Sequence, residues 1–505
     1  MDSQQTLLSQ RSTGVLLHIS SVPSPYGIGS FGKAARQWVD FLHEAGQSFW
    51  QILPLGPTGY GNSPYQCFSA FAGNPYFIDL DTLRKEGLLN RADYQHLSWG
   101  KSDAAVDFEA VYQLRESVLR QAFSRFRNDV ALDNFIRKNT WLKDYSLFMA
   151  IKATQGQSSW QEWEAPLRLR RPDAMAQAEI NLKQDIRFHA FVQYQFRLQW
   201  RSLRNYAAAK GVRIIGDIPI YVSPDSADVW ANPELFLLDE NAVPVEISGC
   251  PPDYFSEDGQ LWGNPLYDWN VMAETGYRWW LRRLRQSFKL YDVLRIDHFR
   301  GLESYYAVPY GHDTARDGRW KPGPGMDFIR VVQDKLPVAN IIAEDLGYLT
   351  DAVRELLAAS TYPGMKLLEF AFDAREPDSS VPYAYGANTV VYTGTHDNDT
   401  VAGWGKTAPQ DSVRLAMEYM GIRRRNQLAY GMIRLAMQTA ANLAVIPMQD
   451  WLRLGSEARM NTPSTLGGTN WCWRLRKSSL TGRLAKTMAR MTSLYGRDMK
   501  PDDNI

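Results

Sequence analysis

The sequence predicts a (β/α)8 barrel on three observations. Short apolar, β-branched runs recur along the chain, most are apolar on both faces, and helix-period segments lie between them. The runs are GVLLHISS (14–21), FWQILPLG (49–56), VRIIGDIPIYV (212–222), DVLRIDHF (292–299), NIIAEDLG (340–347), MKLLEFAF (365–372), TVVYTGTHD (389–397) and NLAVIPMQD (442–450). Continuous apolar runs are what parallel strands covered by helices require. Their number decides the architecture: eight argue for a closed barrel, whereas six would have suggested an open doubly wound sheet.

The intervening helices can be read from their stripes. KAARQWVDFLHEAG (33–46) sets Ala35, Trp38, Val39 and Leu42 on one face and ends at Gly46, a suitable helix stop. YRWWLRRLRQSFKL (277–290) does the same with Trp280, Leu281, Leu284 and Phe288. TDAVRELLAAS (350–360) opens on Thr350, an N-cap residue.

The spacing is uneven, because strand two ends near residue 56 and strand three begins near 212. The region between is helix-patterned, as in FEAVYQLRESVLRQAFSRF (108–126) and RFHAFVQYQFRLQWRSLRNYAAA (187–209). The expected organisation is a catalytic barrel from 1–84 and 186–505, with a helical subdomain at 85–185 inserted in a barrel loop. Two smaller insertions or lid loops are expected at 223–275, rich in Pro, Gly, Asp and Trp, and at 303–335, which contains GRWKPGPG.

Bulk properties narrow the function. A net charge of +1 over 505 residues offers no strong field for nucleic acid, acidic lipid or a charged substrate. The three cysteines, Cys67, Cys250 and Cys472, fall in no CxxC pair, which argues against a disulfide framework or zinc site and fits a reducing compartment. The N-terminal MDSQQTLLSQRSTG lacks the apolar core of a signal peptide, and no apolar run is long enough to span a membrane; a cytoplasmic location is expected. Aromatics make up 12% of the chain, and while most serve the core, some Trp and Tyr suit the role of platforms for sugar rings.

In a barrel the active site lies where strands end and loops begin. That focuses attention on Asp217, Asp297, Glu344, Asp345, Asp397 and Asp450. In DVLRIDHFRG, strand alternation puts Arg295 and Asp297 on one face and Leu294 and Ile296 on the other. If Leu294 and Ile296 pack against helices, Arg295 and Asp297 point into the barrel mouth. An arginine beside a carboxylate keeps it ionised, as a glycosidase nucleophile must be. A structural Arg–Asp pair explains the same pattern equally well. Glu344 and Asp345 point to opposite sides, and either could be the acid whose proton is retained at neutral pH. In GTHDNDT (394–400), His396, Asp397 and Asp399 crowd one loop. No further histidine has matching spacing for a metal, so hydrogen bonding to sugar hydroxyls is the better reading. GxSxG and P-loop signatures are missing.

Taken in order along the chain, SSVPSPYGIGSFG, FWQILPLGPTGYGNSPYQCFSAFAGNPYFIDL, GDIPIYVSPDSADVWANPELF, PPDYFSEDGQLWGNPLYDW, LRIDHFRGL, AEDLG, GTHDNDT and RMNTPSTLGGTNWCWR resemble the 4-α-glucanotransferase family, the amylomaltases or disproportionating enzymes of the α-amylase superfamily. The resemblance runs nearly end to end. It implies transfer of α-1,4-glucan segments from a donor to the 4-hydroxyl of an acceptor glucan or glucose, by a retaining double displacement through a covalent glucosyl-enzyme. By position it makes Asp297 the nucleophile, Glu344 the general acid/base and Asp397 the third acid, holding the 2- and 3-hydroxyls. Substrate-binding roles fall to Arg295, His396, Asp217, Tyr60, Ser63, Trp262 and Asn461, with Trp262 in a mobile loop arching over bound glucan. The scheme requires no metal and no organic cofactor. Its partners are maltooligosaccharides and other α-1,4-glucans, with no nucleic acid and no membrane. One departure is Ser464, where the family often has glycine, together with extra residues before Trp471. Two rival readings share the fold: a hydrolase of α-glucans and a non-catalytic glucan-binding protein.

Overall fold

A computed structural model describes residues 7–59, 61–252, 256–347, 349–373 and 381–498. Its twelve strands are β1 Ser12–Leu16, β2 Phe49–Gln51, β3 Arg213–Ile218, β4 Glu246–Cys250, β5 Gln260–Pro265, β6 Val293–Ile296, β7 Ser304–Pro309, β8 Arg319–Pro322, β9 Ile341–Ala343, β10 Gly364–Leu367, β11 Thr389–Tyr392 and β12 Leu443–Pro447. Eight form one parallel sheet in the order β10-β11-β12-β1-β2-β3-β6-β9. These are the eight apolar runs of the sequence. The two ends of the sheet meet where the Ala343 amide donates to the carbonyl of Pro363, just before β10, at 3.0 Å. The result is the expected (β/α)8 barrel.

Alternation along the strands builds two layers. Phe49, Ile215, Val293, Ile342, Met365 and Val445 pack together inside the barrel. Trp50, Ile214, Leu294, Ile296, Ile341 and Ile446 face outward and join the larger core under the helices. Leu294 and Ile296 therefore do what the pattern required of them. On β3 the sequence needs a glycine at Gly216, because a Cβ there would lie 2.1 Å from the Tyr291 ring.

The outer helices include Lys33–Glu44, Lys183–Ala209, Arg278–Phe288, Gly325–Lys335, Asp351–Ser360, Leu428–Gln438 and Gly482–Leu494. Gly46 ends the first in the left-handed region (φ 67°). The Thr350 hydroxyl accepts from the Val353 amide and caps another. Between β2 and β3 lie further helices, among them Phe108–Arg125, Asp129–Lys138, Trp141–Thr154 and Pro172–Asn181. Trp141–Thr154 packs against the long Lys183–Ala209. The segments after β3 and β6 share a single antiparallel sheet, ordered β5-β4-β7-β8. That sheet sets Trp262, on β5, beside the barrel mouth.

Candidate active site

The centre of the mouth is Arg295, which is 4% exposed. In register, Asp217 on β3 stands opposite Arg295 on β6, which stands opposite Ile342 on β9. Two residues further along their chains, Asp297 and Glu344 keep the same inward face. Backbone bonds continue past the ladder: the Asp297 amide donates to Ile218, and the Glu344 amide to Ile296, at 2.9 and 3.0 Å. The carboxylates are thus carried by strand ends rather than free loops.

The guanidinium divides its donors among three acids. Nη1 holds both oxygens of Asp217 at 2.8 and 2.7 Å. Nη2 lies 2.9 Å from Asp297 Oδ1 and 3.8 Å from Glu344 Oε2. Burial alone raises the Asp217 carboxyl and lowers the Arg295 guanidinium. For Arg295 the surrounding negative charges, Asp217 first, outweigh burial and hold the guanidinium well above its ordinary value, whereas for Asp217 burial prevails over the pull of Arg295 and its carboxyl stays raised. Tyr65 completes the cluster, donating its hydroxyl to Asp217 Oδ2 at 2.7 Å.

Glu344 differs from its neighbours. Burial first, then the negative charge of Asp297, push its carboxyl up to about 8, against the opposing pull of Arg295. It is therefore largely protonated at neutral pH, which a general acid requires. Its Oε2 accepts the His298 amide at 2.5 Å and its Oε1 the Leu346 amide at 3.3 Å. His298 itself is in the left-handed region (φ 52°), unusual for a non-glycine residue. Its ring meets that of Trp262 edge-on, with centroids 4.7 Å apart. Burial pushes its pKa down to about 4, so the ring is neutral.

Asp345 belongs elsewhere. It is 4% exposed, accepts the Met365 amide at 2.6 Å and lies 3.7 Å from Lys366 Nζ. Its carboxylate ties β9 to β10 outside the mouth, which separates it from Glu344. Asp450 is likewise consumed, accepting from the Thr393 hydroxyl at 2.6 Å and the Val401 amide at 2.8 Å.

The other half of the mouth rests on loops. Asp397 accepts from Asn461 Nδ2 at 2.6 Å and stands 3.3 Å from His396 Nε2. Arg459 ties the two loops together, donating to the main-chain oxygens of Asp397 at 2.6 Å and Asn461 at 2.7 Å. The His396 ring stacks on Tyr65 at 5.1 Å and tilts against Trp471 at 5.8 Å. Tyr65 thereby joins the two halves.

Of the expected binding residues, Asp217, Arg295, His396, Asn461 and Trp262 come together at the mouth. Ser63 does not touch the acids in the described contacts: its hydroxyl accepts the Tyr65 amide at 3.2 Å and shapes the turn below. Tyr60 lies outside the described residues, as do residues 253–255 of the PPDYFSEDGQLWG segment. Sequence reasoning missed Tyr65, the amide of His298, Trp471 and Arg459. It also missed Glu369, a 4% exposed carboxyl whose Oε1 has no hydrogen-bond partner under the 394–400 loop. Among the described residues, no group of three or more His, Cys, Asp or Glu is placed to hold a metal ion.

A (β/α)8 barrel whose mouth clamps several carboxylates on one buried arginine defines a class: carboxylate-driven barrel enzymes. A family model for 4-alpha-glucanotransferase matches residues 17–481. The chain belongs to the 4-α-glucanotransferase family and is an enzyme of that activity. It is 46% identical to the 4-alpha-glucanotransferase of Clostridium butyricum, over 95% of this chain and 100% of that one. It is 41% identical to a chloroplastic/amyloplastic 4-alpha-glucanotransferase of Arabidopsis thaliana, over 97% of this chain and 86% of that one. The structure of an amylomaltase from Streptococcus agalactiae in complex with acarbose superposes with a TM-score of 0.94 at 41% identity, covering 97% of this chain and 100% of that one.

Proposed function

We propose that the chain transfers α-1,4-glucan segments by a retaining double displacement, with Asp297 as nucleophile and Glu344 as acid/base. Glu344 gives its proton to the leaving glycosidic oxygen while Asp297 attacks the anomeric carbon and forms a glucosyl ester. The 4-hydroxyl of an acceptor glucan or of glucose then attacks that carbon, loses its proton to Glu344, and releases Asp297. Asp397 and His396 bind the hydroxyls of the sugar at the cleaved bond. Asp217, oriented by Arg295 and Tyr65, contacts a sugar on the non-reducing side, and Trp262 forms a wall above. Tyr60 is the stacking platform under the sugar and Ser63 a nearby binding residue.

The observation that carries this reading is the shared contact of Asp297 and Glu344 with one nitrogen of Arg295. Asp297 Oδ1 at 2.9 Å and Glu344 Oε2 at 3.8 Å from that nitrogen bring the two carboxyls to one side of the guanidinium, which suits the ~5–5.5 Å separation of retaining enzymes. The raised Glu344 beside the ion-paired Asp297 divides the two roles in the required sense. We assign the barrel to 1–84 and 186–505, with 85–185 as an inserted helical subdomain and 223–275 and 303–335 as smaller insertions. We place the enzyme in the cytoplasm; among the described residues, no helix is long and apolar enough to cross a membrane.

Purified protein incubated with maltotriose alone separates transfer from hydrolysis. Transfer yields glucose together with chains longer than maltotriose. Glucose and maltose with nothing longer would make the enzyme a hydrolase and overturn the acceptor assignment.

A further inference from the structure

A second aromatic groove lies away from the carboxylates. The helix Leu428–Gln438 presents Tyr430, Arg434 and Gln438 at four-residue spacing along one side of a cavity of about 430 Å³. The eight residue steps from Tyr430 to Gln438 make that stripe about 12 Å long. Tyr419 and Tyr383 line the same cavity. The groove lies toward the N-terminal ends of the strands, because Tyr383 precedes β11 and the lining residues Thr439 and Ala440 precede β12. It therefore opens on the opposite side of the barrel from the mouth.

Three tyrosines around one groove are exposed by 81% (Tyr383), 40% (Tyr419) and 39% (Tyr430). Two are held in place. Tyr419 packs edge-on against buried Phe372 at 5.4 Å. Tyr430 lies under the guanidinium groups of Arg453 and Arg434, at 5.6 and 6.0 Å from its centroid. Among the described residues, the lining contains no carboxylate and a single cation, Arg434, already engaged with the Tyr495 hydroxyl at 3.0 Å. The charge fits a neutral ligand. The flat rings suit the C–H faces of sugars, and the Gln438 amide and tyrosine hydroxyls suit their edges.

We infer that this groove is a surface site for α-glucan, which holds a polymer chain on the enzyme independently of the active site. The ligand class rests on the chain's family activity, and the place rests on the three tyrosines and the neutral cavity. A glucan segment at this site tethers the rest of the same polymer near the mouth and raises its effective concentration there. Maltotriose is too short to use both sites at once, so the groove affects polymers only.

The test is a Tyr383→Ala/Tyr430→Ala variant, compared with the parent by electrophoresis through gels containing amylopectin and by rates on maltotriose and amylopectin. Loss of two stacking platforms should weaken retention in the gel and lower kcat/KM for amylopectin, each by roughly tenfold. The maltotriose rate should stay unchanged, since neither tyrosine touches the mouth. Unchanged retention and an unchanged ratio of the two rates would overturn the inference. Equal loss on both substrates would overturn it too, by showing damage to the fold. A shift in oligomeric state, by light scattering, with retention intact would make the groove a contact between copies of the chain. Failure of the transfer chemistry itself appears separately, in the maltotriose products of the parent.

Discussion

The two halves of the mouth are built differently. Arg295, Glu344 and Asp297 sit on strand ends, with side chains 4%, 12% and 28% exposed. Asp397 sits on a loop, with its side chain 44% exposed, and is positioned by Asn461 and Arg459 from a second loop. The strand-borne half is fixed by the barrel's hydrogen bonds and by one buried arginine, so its geometry exists before substrate arrives. The loop-borne half depends on contacts between two loops, through Asn461 and Arg459. Bond-making is assigned to the strand-borne half, and hydroxyl recognition to the loop-borne one.

This contrast is sharpest at Arg295. Arg295→Lys keeps the charge but loses the forked geometry that serves Asp217, Asp297 and Glu344 together. The loss of charge-assisted hydrogen bonds of roughly 2–3 kcal/mol should lower kcat/KM for maltotriose about a hundredfold. A lysine variant within twofold of the parent would show that the clamp is not needed. Asn461→Ala removes one bond from the exposed Asp397 in the loop-borne half. The loss, roughly 1 kcal/mol, should lower kcat/KM about fivefold, with restoration by Asn461→Gln only partial. If Asn461→Ala matched the lysine variant in severity, the distinction between the halves would fail.

The smallest effect is one of stability. Burial first, then Asp450 and Asp399, hold the Glu369 carboxyl well above its ordinary value. In the unfolded chain it ionises above about 4.3. Its contribution to folding is therefore present at low pH and is lost as pH rises towards the folded-state value. Glu369→Gln, which cannot ionise, should melt at a temperature that exceeds the parent's by a margin growing from pH 5 to pH 9. A margin that is flat or shrinks with pH would mean that the buried carboxyl is ionised. It packs 3.2 Å from where a Gly394 Cβ would lie, so it supports the loop-borne half from beneath.

The same contrast explains what could be read from the sequence. The strand-borne half follows the two-residue period: Leu294 and Ile296 face the helices, so Arg295 and Asp297 must face inward. Periodicity left Glu344 and Asp345 unresolved, and the resemblance chose between them; in the structure Asp345 is spent on the Met365 amide. Tyr65 was hidden because its partner Asp217 is 152 residues away, and only the closed barrel brings them together. The His298 amide was hidden because a main-chain donor leaves no mark in a side-chain pattern. Glu369 was read as part of an apolar strand, but β10 ends at Leu367 and the chain turns into a short helix, Leu368–Ala371, that directs the carboxyl inward.

The central claim is that Asp297 forms the covalent bond while Glu344 moves the proton. The most direct measurement is to trap the intermediate with 5-fluoro-α-glucosyl fluoride and map the label by mass spectrometry of peptides. The account predicts one fluoroglucosyl group per chain, on a peptide containing Asp297 and lost in Asp297→Asn. Label on Glu344 or Asp397, or turnover with inversion at the anomeric carbon and no label at all, would contradict it.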